Sequence, residues 1–361
     1  MSHNIKEKRG RVQNSPLQEY LQAKKNRNGI RILFYKGTDS SKRKGRNNMT
    51  ENRYLPEGRL IFDEENEEAL SSVQSLEKAM AAGRIIEALA ILCDSQMNLI
   101  VDLKCIKGVI RKEEVTYSKD DEPIKDIAVI SRVGKPVAFK IMGFEKGKDG
   151  AAVAILSRRE AQRECMREYL MTLSCGDILD AKITHLEHFG AFVDIGCGIA
   201  SLLSIDSISV SRISHPKDRF TSGMYIKAII KSIDKELERI YVTHKELLGT
   251  WEENARSFAV GQTVVGIVRS VEEYGIFIEL APNLAGLAEY RENVNVGQSV
   301  AVYIKNIIPE RMKIKLVIID LCKGEPPRTG FEYYLSSDAD HIDYWRYSPV
   351  GTGKIIESKF V

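Results

Sequence analysis

Two short runs carry the residue types best suited to recognition chemistry: Phe189-Gly190-Ala191-Phe192 and Tyr274-Gly275-Ile276-Phe277. Each sets two aromatic rings three positions apart, with a glycine after the first. Exposed rings can stack on flat ring systems; on nucleobases this is worth about 1–3 kcal/mol per base and needs no sequence code. Both pairs fall 13 and 16 residues beyond a glycine, Gly176 in one case and Gly261 in the other. Val193 and Ile195 alternate inward, so Phe192 and Asp194 point outward, and a bulge or kink at Gly190 would bring Phe189 onto the same outer face. One such run alone would read as core packing; the same device at the same offsets favours a stacking surface. Cations fall at alternate positions of neighbouring segments: Lys182, Lys231 and Arg239 around the first pair, and Arg269, Lys305, Lys313 and Lys315 around the second. They are candidates for phosphate contacts, although each alone reads as an ordinary solvated side chain.

Other constellations are weaker. His185 and His188 are three apart on a strand-like segment, on opposite faces unless the chain bends, with no third ligand in sight; no metal is expected. Gly196-Cys197-Gly198 reads as a tight turn, and Gly351-Thr352-Gly353-Lys354 lacks the spacing of a phosphate loop. Glu113-Glu114 and Glu272-Glu273 read as solvated turns. No nucleophile-base set stands in a catalytic context, so neither catalysis nor a cofactor is expected.

The elements that must position the rings form a threefold repeat. From Gly176 and from Gly261 the chain aligns without a gap: Ile183 with Val268, Leu186 with Val271, Phe192 with Phe277, Asp194 with Glu279. From Gly83 the same pattern follows with one extra residue, and Met97 and Ile100 stand where the ring pair would be. A second half also repeats. Gly134 precedes Val137, Phe139 and Ile141; Gly223 precedes Ile226, Ala228 and Ile230; Gly297 precedes Val300, Val302 and Ile304. Strict alternation predicts half-buried strands. Closing strands follow at 152–156, 239–243 and 313–317. Each repeat thus has the size of a small closed barrel. An acidic amphipathic helix is expected over 61–82, a connecting helix over 157–173, a short helix over 246–258, and a loop over 207–221.

The 361 residues suffice for two or three domains, and no apolar stretch reaches the 18 residues of a membrane-spanning helix. No signal peptide is evident. Six scattered cysteines without a Cys-x-x-Cys pair fit a reducing cytoplasm. The net charge of +3 hides an asymmetry: residues 1–60 hold 15 Lys/Arg against 5 Asp/Glu, and residues 61–79 hold 1 against 6. The remainder is nearly neutral, so nucleic-acid binding there cannot rest on bulk charge. The arm reads as a solvated, disordered terminus or as a phosphate-attracting tail; the Lys42–Arg46 run, encodable by purines, also suggests a translation start at Met49. Six aromatics lie between Phe331 and Tyr347, so residues 322–361 are expected to be ordered, packed on the third barrel or offering a further contact surface.

The runs Phe189-Gly190-Ala191-Phe192-Val193-Asp194-Ile195-Gly196, Ile226-Lys227-Ala228 and Arg239-Ile240-Tyr241-Val242-Thr243-His244-Lys245 resemble the S1 RNA-binding domain, an OB-fold barrel, as found in the bacterial ribosomal protein S1 family. The resemblance is strong in the second repeat, clear in the third and degenerate in the first, over about 240 residues. It implies a mainly β protein of three tandem OB-fold, five-stranded barrels: 83–172 with its connecting helix, 173–257 and 258–321. It further implies single-stranded RNA or mRNA as ligand and the small ribosomal subunit as partner, in the cytoplasm and without catalysis. The histidine such domains carry after the third strand is replaced by Arg111, Ser204 and Glu289. The first repeat, lacking the rings, is expected to hold a protein, with the preceding helix as a second contact. A monomer is expected, without a membrane. The rival readings are a ribosome-independent RNA-binding regulator and a protein-interaction scaffold.

Overall fold

The computed structural model describes residues 53–118, 123–147, 150–322, 331–336 and 339–360. The arm before residue 53, including Met49, lies outside them. The chain forms two compact units, one from residues 58–161 and the other from 54–57 together with the chain from Gln162 onward. Among the described residues no helix is long and apolar enough to cross a membrane.

The first unit opens with two helices, α1 (Glu64–Ala69) and α2 (Val73–Ala81), in place of the single one expected. The Asp63 carboxylate caps α1, and the Ser72 hydroxyl caps α2 by accepting from the Ser75 amide at 3.1 Å. A serine that satisfies free amides favours a fresh start over continuation. Leu70, Leu76 and Ala79 are buried on the barrel, as the pattern requires. Asn66 tethers α1 by exchanging two hydrogen bonds with the backbone of Glu87. The barrel comprises β1 (Ile86–Cys93), β2 (Leu99–Asp102), β3 (Lys107–Ile110), β4 (Pro136–Lys146) and β5 (Ala152–Ser157), closed in the order β1-β2-β3-β5-β4. A short helix, α3 (Asp126–Ile130), precedes β4, and α4 (Arg158–Glu168) follows β5.

The second unit holds two further barrels of the same topology. One comprises β6 (Ile178–Glu187), β7 (Gly190–Asp194), β8 (Ala200–Ser204), β9 (Tyr225–Asp234) and β10 (Arg239–Thr243). After the short α5 (Trp251–Ala255), the other comprises β11 (Thr263–Glu272), β12 (Gly275–Ala281), β13 (Leu284–Ala288), β14 (Ser299–Ile308) and β15 (Lys313–Leu321). The parallel contact of third with fifth strand closes each barrel and gives the OB-fold. All nine residues of the three alternating triads, from Val137 to Ile304, are buried in barrel interiors. The six anchor glycines all have φ between +60° and +93°, a region costly for residues with a Cβ.

Residues 54–57 fall within the stretch whose composition is that of the arm, yet they are built into the second unit. Tyr54 is buried, stacked on Tyr169, and the Glu57 amide donates to Asp194 at 2.7 Å. The 207–221 loop packs on the third barrel, where the Ser211 amide reaches the Pro282 carbonyl and the Val210 amide reaches Asn283 Oδ1.

Candidate nucleic-acid interface

In the second barrel, strand register lines up one row of outward side chains. His185 of β6 lies opposite Phe192 of β7, Phe192 opposite Leu202 of β8, and Leu202 opposite Tyr241 of β10. Their neighbours Ala191, Val193, Leu203, Ile240 and Val242 are buried inside, which turns the row to the outer face. Phe189 stands in the turn before β7 and is 55% exposed. Its ring meets Phe192 edge to face, with centroids 6.1 Å apart and planes at 89°. The irregularity expected at Gly190 lies across the ladder instead, in β6 between Ile183 and His185. Gly190 serves close approach, since a Cβ there would sit 2.4 Å from the Leu203 carbonyl oxygen.

The third barrel repeats the arrangement. Ser270, Phe277, Leu287 and Lys315 form the corresponding row. Tyr274 is 71% exposed in the turn before β12, and its ring stands 6.1 Å from Phe277 at 85°. A Cβ at Gly275 would lie 2.5 Å from the Ala288 carbonyl oxygen. Perpendicular packing fixes the angle of the rings and leaves the exposed ones surface to offer a flat ligand.

The cations divide. Lys231 and Lys305 occupy matching bulge positions in β9 and β14, and both are exposed, with Lys231 also donating to the Ser207 hydroxyl at 3.0 Å. Arg239, Lys313 and Lys315 are exposed on the closing strands. Two others depart from the expectation. Lys182 donates to the Glu57 carbonyl at 2.5 Å and lies over the Tyr225 ring. Arg269, its side chain only 9% exposed, grips Glu279 through two bonds, at 2.8 and 3.1 Å. Alternation put both outside the barrel, but segments packed there, residues 54–57 and the 207–221 loop, enclose them. Leu202 and Tyr241 were missed: β10 alternation put Tyr241 outward, but only register across β8 sets it beside the ring pair. His185 binds Glu187 at 2.7 Å while His188 packs on His215, and among the described residues no cluster of three metal-ligating side chains occurs.

Residues 173–245 match the S1 RNA binding domain family. The second barrel is an S1 domain. The chain is 28% identical over 276 residues to small ribosomal subunit protein bS1 of Rhizobium meliloti, covering 72% of this chain and 47% of that protein. It is 28% identical over 222 residues to the bS1 homolog of Bacillus subtilis, covering 59% and 56%. Against bS1 of Staphylococcus aureus the identity is 28% over 315 residues, covering 78% and 77%. The chain spans about half the length of the first two relatives.

Against the S1 barrel, the first barrel keeps the geometry and changes the chemistry. Its corresponding row reads Leu92, Ile100, Val109 and Ile155, and Met142 takes the bulge position of Lys231. Leu92 is 46% and Met142 55% exposed. The face that carries rings and cations in the S1 barrel is aliphatic here.

The aromatic appendage packs on the S1 barrel as well as on the third, where alone it was expected. Phe331 and Tyr333 set their rings edge-on against His244 of the S1 barrel, and His341 bonds Asp177 at 2.6 Å. Trp345 and Tyr347 join the third barrel's core. His244 is fully buried, with Nδ1 on the Ile208 carbonyl and Nε2 on the Tyr333 hydroxyl. Burial pushes its pKa down to about 4.

Proposed function

We propose that this chain binds single-stranded RNA without catalysis through the outer aromatic faces of its second and third barrels, in association with the small ribosomal subunit during translation in the cytoplasm. The perpendicular ring pair, built twice with the same 6.1 Å separation on the same outward face, carries this reading. The S1 match and the similarity to bS1 proteins support it. Stacking needs bases freed from pairing, so single strands are the ligand. With few exposed cations on each face, affinity rests on rings more than on counterion release. The aliphatic face of the first barrel suits a protein, and it provides, with α1 and α2, the contact to the subunit. The protein works as a monomer, without cofactor or membrane.

The test is a titration of the full chain with Phe189, Phe192, Tyr274 and Phe277 all changed to alanine. Affinity for single-stranded RNA falls by several kcal/mol in total, at roughly 1–3 kcal/mol per stacked base, and duplex RNA binds weakly even to the parent. Unchanged affinity in a folded variant overturns the reading.

A further inference from the structure

We propose that Tyr241 is a third stacking residue of the second barrel, taking the base beyond the one on Phe192, and that Lys315 replaces it in the third barrel with a phosphate contact. The proposal rests on the RNA-binding reading above and assigns the path of the strand across the barrel. Phe192, Leu202 and Tyr241 stand directly opposite one another on β7, β8 and β10. Adjacent strands lie about 4.8 Å apart, which places the Tyr241 backbone about 10 Å from that of Phe192, with Leu202 as an apolar floor between the rings. Tyr241 is 37% exposed on a strand whose flanking residues Ile240 and Val242 are buried, so its ring faces outward. Arg239 precedes it on the same face by two residues, and Lys231 stands at the bulge of the adjoining β9. Rings, floor and cations therefore line a track that crosses the strands, with bases on the rings and the backbone toward the cations.

The third barrel has the same track with one exchange. Phe277 lies opposite Leu287, and Leu287 opposite Lys315. A lysine at Tyr241's place offers no flat face but does offer a charge for a phosphate. The two barrels then differ in kind: the second is governed by stacking, the third more by charge.

The experiment uses the full chain carrying Tyr274→Ala and Phe277→Ala, which silences the third barrel's rings, and a labelled oligouridylate read by fluorescence anisotropy. Tyr241→Ala weakens binding by roughly 5- to 150-fold, the range of one lost stacked base. Tyr241→Phe keeps the affinity, Tyr241→Leu loses it as alanine does, and Tyr241→Lys steepens the log–log salt dependence by about 0.7, one added phosphate contact. If Phe192→Ala weakens binding while Tyr241→Ala leaves it unchanged, or if Tyr241→Leu retains it, the assignment of Tyr241 fails and the RNA reading stands. If neither Phe192→Ala nor Tyr241→Ala weakens binding, the RNA reading itself fails.

Discussion

Arg219, in the loop that leaves the second barrel, bonds Glu279 on the outer wall of the third, and Arg269 grips the same carboxylate from within that wall. All three side chains are almost wholly withdrawn from solvent, and Asp218 stands 3.7 Å from Arg269. Glu279 occupies the repeat position of Asp194, which holds the Glu57 amide in the second barrel. At both places an outward acid on the second strand serves as the dock for a segment arriving from elsewhere in the chain.

Removing that carboxylate leaves the Arg219 guanidinium withdrawn from solvent without its carboxylate and leaves Arg269 with only Asp218, 3.7 Å away. Glu279→Ala should therefore destabilise the second unit by about 3–5 kcal/mol, whereas replacing Arg219, Arg269 and Glu279 together with apolar residues of similar volume should cost far less. Chemical denaturation of the variants, followed by Trp251 and Trp345 fluorescence, measures the difference.

Two histidines give the second unit opposed responses to pH. Buried His244 must stay neutral: its pKa falls from 6.5 to about 4 on folding, so its contribution is whole above 6.5 and is lost as pH drops toward 4. The loss should reach about 3 kcal/mol across that window, and His244→Gln should flatten it in acid denaturation curves. His341 goes the other way. Hydrogen bonding to Asp177 raises its pKa, with Asp343 adding to the effect, so its contribution is present below 6.5 and is lost as pH rises through the elevated value. Hydrogen-exchange protection over residues 339–360, taken relative to the intrinsic base-catalysed rate at each pH, should fall on mild alkalinisation in the parent and stay level in His341→Gln.

The aliphatic row of the first barrel offers a separate handle on the proposed subunit contact. Leu92→Glu with Ile155→Glu puts charges where an apolar partner would bury the face, and burying an unpaired carboxylate is costly. Sedimentation with small ribosomal subunits should be lost in this variant while affinity for free single-stranded RNA is kept. Retained co-sedimentation after nuclease treatment would remove the first barrel from the contact.

The barrels were legible in the sequence because what defines them is local. A period of two sends Val300, Val302 and Ile304 to one side wherever the strand sits, and a glycine such as Gly176 is demanded by its own φ of +93°. The ring pairs were legible for the same reason: Phe189 and Phe192 are three residues apart and repeat in Tyr274 and Phe277. Only tertiary structure decided which cations face solvent, since Arg269 and Lys305 look alike in sequence until the 207–221 loop closes over one of them. It alone brought Tyr241 beside Phe192, through a register spanning β7, β8 and β10. It alone set Phe331 on His244 across 87 residues. Alternation fixes the face a side chain takes within its own strand; what covers that face, or shares it, depends on chain packed there from far along the sequence.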